Sequence, residues 1–180
     1  MESAKTVVFV AIENELMGLI AVDDQIKTGA EESIRKLKLL NIKTVMLTGD
    51  NAFSAESVGK KVGVDEYKAE VHPEQKINSV AEYQSQGDIV AMVGDGINDS
   101  PALAQSDVGI AIGTGTDVAI ETADIVLISG DLTGVVNAIN LSKRTIRAIK
   151  QNLFWAFIYN LIGVPLAACG ILNPIFASLA

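Results

Sequence analysis

Three oxygen-bearing side chains crowd one short turn: Asp95, Asn98 and Asp99 lie in Gly94-Asp95-Gly96-Ile97-Asn98-Asp99, directly after the apolar run Ile89 to Val93. Two carboxylates and an amide on a glycine-permitted turn are the hard ligands that Mg²⁺ accepts when substrate phosphate and water fill its remaining positions. Asp-Gly and Asn-Asp are also ordinary turn formers, so this stretch alone leaves both readings open. A second turn, Thr48-Gly49-Asp50-Asn51, follows Lys43 to Leu47 and offers a hydroxyl and a glycine amide to an anion at a helix start. The competing reading there is a plain helix cap. Between the two turns, His72-Pro73-Glu74-Gln75-Lys76 opens a helix with Lys76 one turn in, either a solvated surface lysine or an ammonium within reach of a phosphate. An anion grip, a cation and a metal site together are the equipment of phosphoryl transfer.

For these groups to meet, each must follow a strand of one sheet, because ligands of open α/β sheets collect at the carboxyl ends of the strands. The apolar spacing agrees. Helical periodicity predicts helices over 29–41, 52–62 and 74–86, and short apolar runs predict strands over 43–48, 89–93, 108–112 and 124–128. Alternation of this kind implies an α/β fold with a parallel sheet covered on both faces. Ahead of it, Thr6 to Ile12 and Leu16 to Val22 read as a β-hairpin.

Composition narrows the partners. A net charge of -8 argues against a nucleic-acid surface. Cys169 is the one cysteine, so there is no disulfide within the chain and no Cys-x-x-Cys metal site. No signal-peptide pattern is present at Met1 to Thr6. Leu132 to Gln151 reads as a helix leading into Leu153 to Leu172, which carries no charge and matches the roughly 20 residues of a membrane-spanning helix. Lys143, Arg144, Arg147 and Lys150 precede it without an acid, the bias of a cytoplasmic flank. The expectation is an integral membrane protein whose soluble part is cytoplasmic, with 173–180 the start of a second, truncated span.

Thr48 to Asn51, the Pro73 to Lys76 lysine, Val93-Gly-Asp-Gly-Ile-Asn-Asp-Ser-Pro-Ala-Leu103 and Val108 to Leu127 together resemble the cation-transporting P-type ATPases. The phosphorylation domain of those pumps belongs to the haloacid dehalogenase superfamily. That resemblance implies that Thr48 and Gly49 bind the phosphoryl group, Lys76 neutralises it, Asp95 and Asp99 hold Mg²⁺ with Asn98 completing the site, and Asp50 orients groups around the phosphorylated state. ATP is the implied phosphoryl donor. Asn152 to Ala168 is similar to the seventh membrane helix of copper-exporting pumps, where a Tyr-Asn pair, here Tyr159 and Asn160, helps to bind Cu(I). A polar pair within a bilayer span is independently a functional feature, an interhelical hydrogen bond being the alternative. Asp24 and Lys27 match the hinge from the nucleotide-binding domain, usually Asp-Pro-x-Lys, although Gln25 replaces the proline.

The acceptor motif of the family, Asp-Lys-Thr-Gly-Thr, is absent: no Asp-Lys dipeptide occurs, and Thr114-Gly115-Thr116 belongs to a different motif. The resemblance therefore implies a late slice of a longer pump. It divides into 1–23, the last hairpin of the nucleotide-binding domain; 24–131, a phosphorylation domain lacking its central nucleophile strand; 132–152, a linking helix; and the membrane segments 153–172 and 173–180. Implied partners are transported Cu(I), the lipid bilayer, and the nucleotide-binding, actuator and remaining membrane segments. A non-catalytic module that binds Mg²⁺ and phosphate or docks on a full pump is a second reading. A small soluble phosphatase is a third, but Met1 to Glu15 lacks the aspartates it requires.

Overall fold

The structure is a computed structural model in which residues 6–13, 15–22, 25–95, 97–113 and 121–170 are described. Two compact units are present, Met1–Val136 and Asn137–Ala180. The first opens with β1 (Thr6–Ile12) and β2 (Glu15–Val22), an antiparallel pair with Phe9 opposite Leu19 and a register shift between Val10 and Ala11. Successive strand residues face opposite ways. Because Val8, Phe9, Leu19 and Ile20 are all exposed, neither face of this hairpin is covered among the described residues.

There follow α1 (Ala30–Leu39), β3 (Val45–Leu47), α2 (Ala52–Val62), β4 (Glu66–Lys68), α3 (Pro73–Ser85) and β5 (Ala91–Gly94). A 3₁₀ turn (Ile97–Asp99), α4 (Ser100–Gln105), β6 (Val108–Ile112) and β7 (Ile125–Leu127) complete the sheet region. In α1, Ala30, Ile34 and Leu37 fall on one buried stripe, with Glu31 and Glu32 in the first turn and Lys36 and Lys38 in the last, as the helix dipole favours. Gly29 enters this helix at φ 83°, which only glycine adopts without strain. Asn51 caps α2 by accepting the Ser54 amide at 2.9 Å.

The parallel α/β expectation is met, in two pieces. β3 pairs with β4, and β5, β6 and β7 form a second parallel sheet in that order. Among the described residues no ladder joins β3 to β5. Ile110 and Ala111 of β6 are buried with Leu103 and Ala102 of α4 in the core. Gly109 is required for that packing, because a Cβ there would stand 2.9 Å from the Leu103 carbonyl oxygen.

At the amino end of the strands a repeated device sets the register. The residue before β4, Asp65, accepts the Thr44 amide; Asp107 before β6 accepts the Val90 amide; Asp124 before β7 accepts the Gly109 amide, each at 2.8 Å. In each case a carboxylate satisfies a backbone donor of the neighbouring strand just where its ladder begins.

The C-terminal helix corrects the expected span. α5 runs unbroken over Thr133–Ala168, so the linking helix 132–152 and the expected membrane helix 153–172 are one element that stops before Leu172. From Leu153 to Ala168 its uncharged part rises about 24 Å at ~1.5 Å per residue, short of a hydrocarbon core of about 30 Å. Among the described residues no helix is long and apolar enough to cross a membrane. The expected second span, 173–180, lies outside the described residues, as do Asp24 and Thr114 to Thr116.

Candidate functional site

β5 ends at Gly94, and the chain turns back through the 3₁₀ turn so that Asp99 folds over the strand end. The approach is close: a Cβ on Gly94 would lie 2.6 Å from the Asp99 Cβ and 2.8 Å from its Oδ2. α3 begins at Pro73, and the His72 amide donates to Gln75 Oε1 at 2.8 Å, which closes the first turn and leaves Lys76 one turn in. From there Lys76 Nζ donates to Asp99 Oδ1 at 2.6 Å, with the two side chains only 17% and 14% exposed. Lys27, on the segment before α1, places Nζ 3.7 Å from Asp95 Oδ2, and these side chains are 62% and 67% exposed. Two lysines from separate elements thus answer the two acids of one turn. Asn98 is exposed between them.

The second turn stands at the carboxyl end of β3. Thr48 Oγ1 donates to Asp50 Oδ2 at 2.8 Å and accepts the Asp50 amide at 3.1 Å, so hydroxyl and carboxylate hold each other. The Val71 amide donates to the Thr48 carbonyl at 2.9 Å, the Glu70 amide to the Asp50 carbonyl at 2.8 Å, and Gly49 is exposed. The structure joins Lys76 to Asp99 and Lys27 to Asp95. Among the described residues, no hydrogen bond or ion pair links Thr48, Gly49 or Asp50 to that cluster. Tyr159 is exposed on α5, and Asn160 Nδ2 donates to the Ala156 carbonyl at 2.9 Å within the same helix.

The donor chemistry is of the kind Mg²⁺ takes: Asp95, Asn98 and Asp99 are hard oxygen donors within five residues, and a Cβ at Gly94 would fill the space that Asp99 occupies. Among the described residues no group of three His, Cys, Asp or Glu side chains is arranged to hold a metal alone. Two carboxylates with the balance from substrate oxygens and water is the habit of Mg²⁺ rather than of zinc or calcium.

The carboxylates with resolved shifts in this region brace the opposite end of the sheet. The Lys38 ammonium, 2.9 Å away, and then the Thr44 amide and hydroxyl hold the Asp65 carboxyl down to about 2. The Val90 amide holds Asp107 below its ordinary value. Burial, and then Glu66, push the Tyr83 hydroxyl up to about 12, with the Lys43 and Lys68 ammonium groups 4.9 and 5.1 Å from its ring. None of these was read from the sequence. The available signal was an aspartate immediately before each strand.

Residues 2–107 match a family model described as haloacid dehalogenase-like hydrolase. The chain belongs to that family. Within it, the chain is 56% identical over 173 residues to a probable copper-transporting ATPase, PacS, of Synechococcus elongatus, covering 96% of this chain and 23% of that protein. It is 53% identical to the probable copper-importing P-type ATPase A of Enterococcus hirae, over 98% of this chain and 24% of that protein. Among solved structures, a zinc-transporting PIB-type ATPase in an E2.Pi state superposes with a TM-score of 0.85 at 38% identity, over 98% of this chain and 29% of that one. The chain thus spans about a quarter of the length of the curated relatives it matches. The resemblance to heavy-metal P-type ATPases carried by the motifs holds for nearly the whole of this haloacid dehalogenase-like chain.

Proposed function

We propose that the chain is the phosphorylation-domain portion, with the helix that follows it, of a P-type ATPase that couples ATP hydrolysis to Cu(I) transport. The observation that carries this reading is the Lys76 to Asp99 contact. It unites two motifs 23 residues apart at the carboxyl end of β5, where the fold collects ligands. When bound, Mg²⁺ would be held by Asp95 and Asp99 beside Asn98 and would supply positive charge to phosphoryl oxygens. Lys76 fixes the Asp99 carboxylate and adds a cation to the same locus. Thr48 and Gly49 bind the phosphoryl group, Asp50 holds the Thr48 hydroxyl in place, and Asp24 and Lys27 form the hinge toward the nucleotide.

The acceptor aspartate is not in this sequence, so no phosphoenzyme forms on this chain by itself. That no ladder joins β3 to β5 among the described residues supports an acceptor strand seated between them and supplied by the rest of the pump. In that assembly the uncharged part of α5, which is not itself long enough to span, meets the membrane portion of the pump from Leu153, as supported by Leu153, Phe154, Trp155, Phe157 and Leu161, all exposed, and by the basic flank before them. Tyr159 and Asn160 are then the contribution to Cu(I).

The test is a chimera in which residues 24–168 replace the matching segment of the Synechococcus relative. Expected is Cu(I)-stimulated, acid-stable, hydroxylamine-sensitive phosphorylation from ATP, abolished by Asp95→Asn and absent from the present chain alone. Phosphorylation of the isolated chain, or a chimera stimulated by Zn²⁺ and not Cu(I), overturns the reading.

A further inference from the structure

The two acid–lysine contacts at the site are unlike each other. Lys76 and Asp99 are mostly buried and meet at 2.6 Å, the length of a charge-assisted hydrogen bond. Lys27 and Asp95 stand 3.7 Å apart, at the edge of ion-pair range, with most of both side chains in water. Exposed pairs of that kind hold only weakly, so the Lys27 contact is the one that a stronger cation displaces. The Lys27 carbonyl accepts the Ala30 amide at 3.1 Å and Gly29 then turns the chain into α1; among the described residues, the contact with Asp95 is the ion pair or hydrogen bond that a side chain of segment 25–29 makes. A dication arriving at Asp95 would meet the ammonium already beside the carboxylate.

We propose that Lys27 competes with Mg²⁺ for the Asp95 carboxylate, so that metal entry displaces Lys27 and releases the segment that leads into α1. The inference rests on the proposed Mg²⁺ site, and Lys27 acts in it as a positioning residue for that site. With Lys27 removed, the competing cation and its repulsion of the metal are both lost, and Mg²⁺ binds more tightly. An exposed pair of up to about 1 kcal/mol corresponds to a gain of up to roughly fivefold. Screening shrinks that gain as salt rises.

The experiment titrates the full chain with MgCl₂ alone by calorimetry, in parent, Lys27→Met, Lys27→Arg and Asp95→Asn forms. Hydrogen exchange at the Ala30 amide is followed with and without Mg²⁺. Expected are a dissociation constant about two- to fivefold lower in Lys27→Met, a parent-like value in Lys27→Arg, and faster Ala30 exchange in the parent when Mg²⁺ is added. Loss of Mg²⁺ binding in Asp95→Asn, with Lys27→Met and parent binding equally, overturns the competition while leaving the metal site standing. Binding that survives Asp95→Asn unchanged overturns both. The exchange measurement needs no variant, so unaltered Ala30 exchange in the parent at saturating Mg²⁺ is decisive even if Lys27→Met fails to fold.

Discussion

Replacing Gly94 with alanine tests the geometry of the site at its tightest point. Gly94 is absent from the glycines with positive φ, so alanine meets no backbone penalty there. It even gains about 0.4–1 kcal/mol by restricting the unfolded chain. The steric effect is opposite and larger. The new Cβ would lie 2.6 Å from the Asp99 Cβ, an atom fixed to the backbone of the 3₁₀ turn. To restore ordinary contact the turn must retreat by about 0.8 Å, an overpacking displacement of the kind that costs ~1–3 kcal/mol. The same retreat lengthens the 2.6 Å Lys76–Asp99 bond to as much as about 3.4 Å and forfeits part of the about 1.5–3 kcal/mol that a bond between charged groups contributes. The net loss is on the order of 3 kcal/mol, which for a chain of this size lowers Tm by roughly 6–12 °C. Urea and thermal unfolding of the full chain, followed by circular dichroism, measure it. Asp99→Gly removes the opposing Cβ, so the double variant should be no less stable than Asp99→Gly alone. A Gly94→Ala variant within about 0.5 kcal/mol of the parent, or additive losses in the double variant, refutes the proposed packing of Asp99 over the strand end.

Leu103 is 1% exposed, so Leu103→Ala should cost about 3–5 kcal/mol in urea unfolding with an unchanged m-value. Asp65 governs the acid limb of stability. Its folded pKa, about 2, lies below the unfolded value of 3.8, so its contribution is complete above about pH 4 and is lost as pH falls toward 2. Melting curves from pH 6 to pH 2 should therefore fall less steeply for Asp65→Asn than for the parent.

Much of the fold was legible because hydrophobic spacing is a local signal. The expected helix 52–62 and strand 108–112 coincide with α2 and β6, and α1, α3, β3, β5 and β7 lie within a few residues of their expected bounds. β4, Glu66-Tyr67-Lys68, was missed because it is an edge strand with a polar sequence, recruited by pairing with β3 and by the Asp65 clasp rather than by its own pattern. α4 is too short for periodicity to register. The membrane helix was overextended because an uncharged run carries no mark of where the helix stops.

The residue types and their spacing by themselves supplied the parts of the proposed chemistry: acids after a glycine turn, a hydroxyl turn and a helix-borne lysine are groups that Mg²⁺ and phosphate would require, and such motifs are readable without a fold. Only the tertiary structure decided which lysine meets which acid. The Lys76 to Asp99 and Lys27 to Asp95 contacts depend on where α3 and the segment before α1 lie against the end of β5. That placement follows from the burial of faces distant in sequence, and the difference in burial between the two pairs makes one contact strong and the other exchangeable.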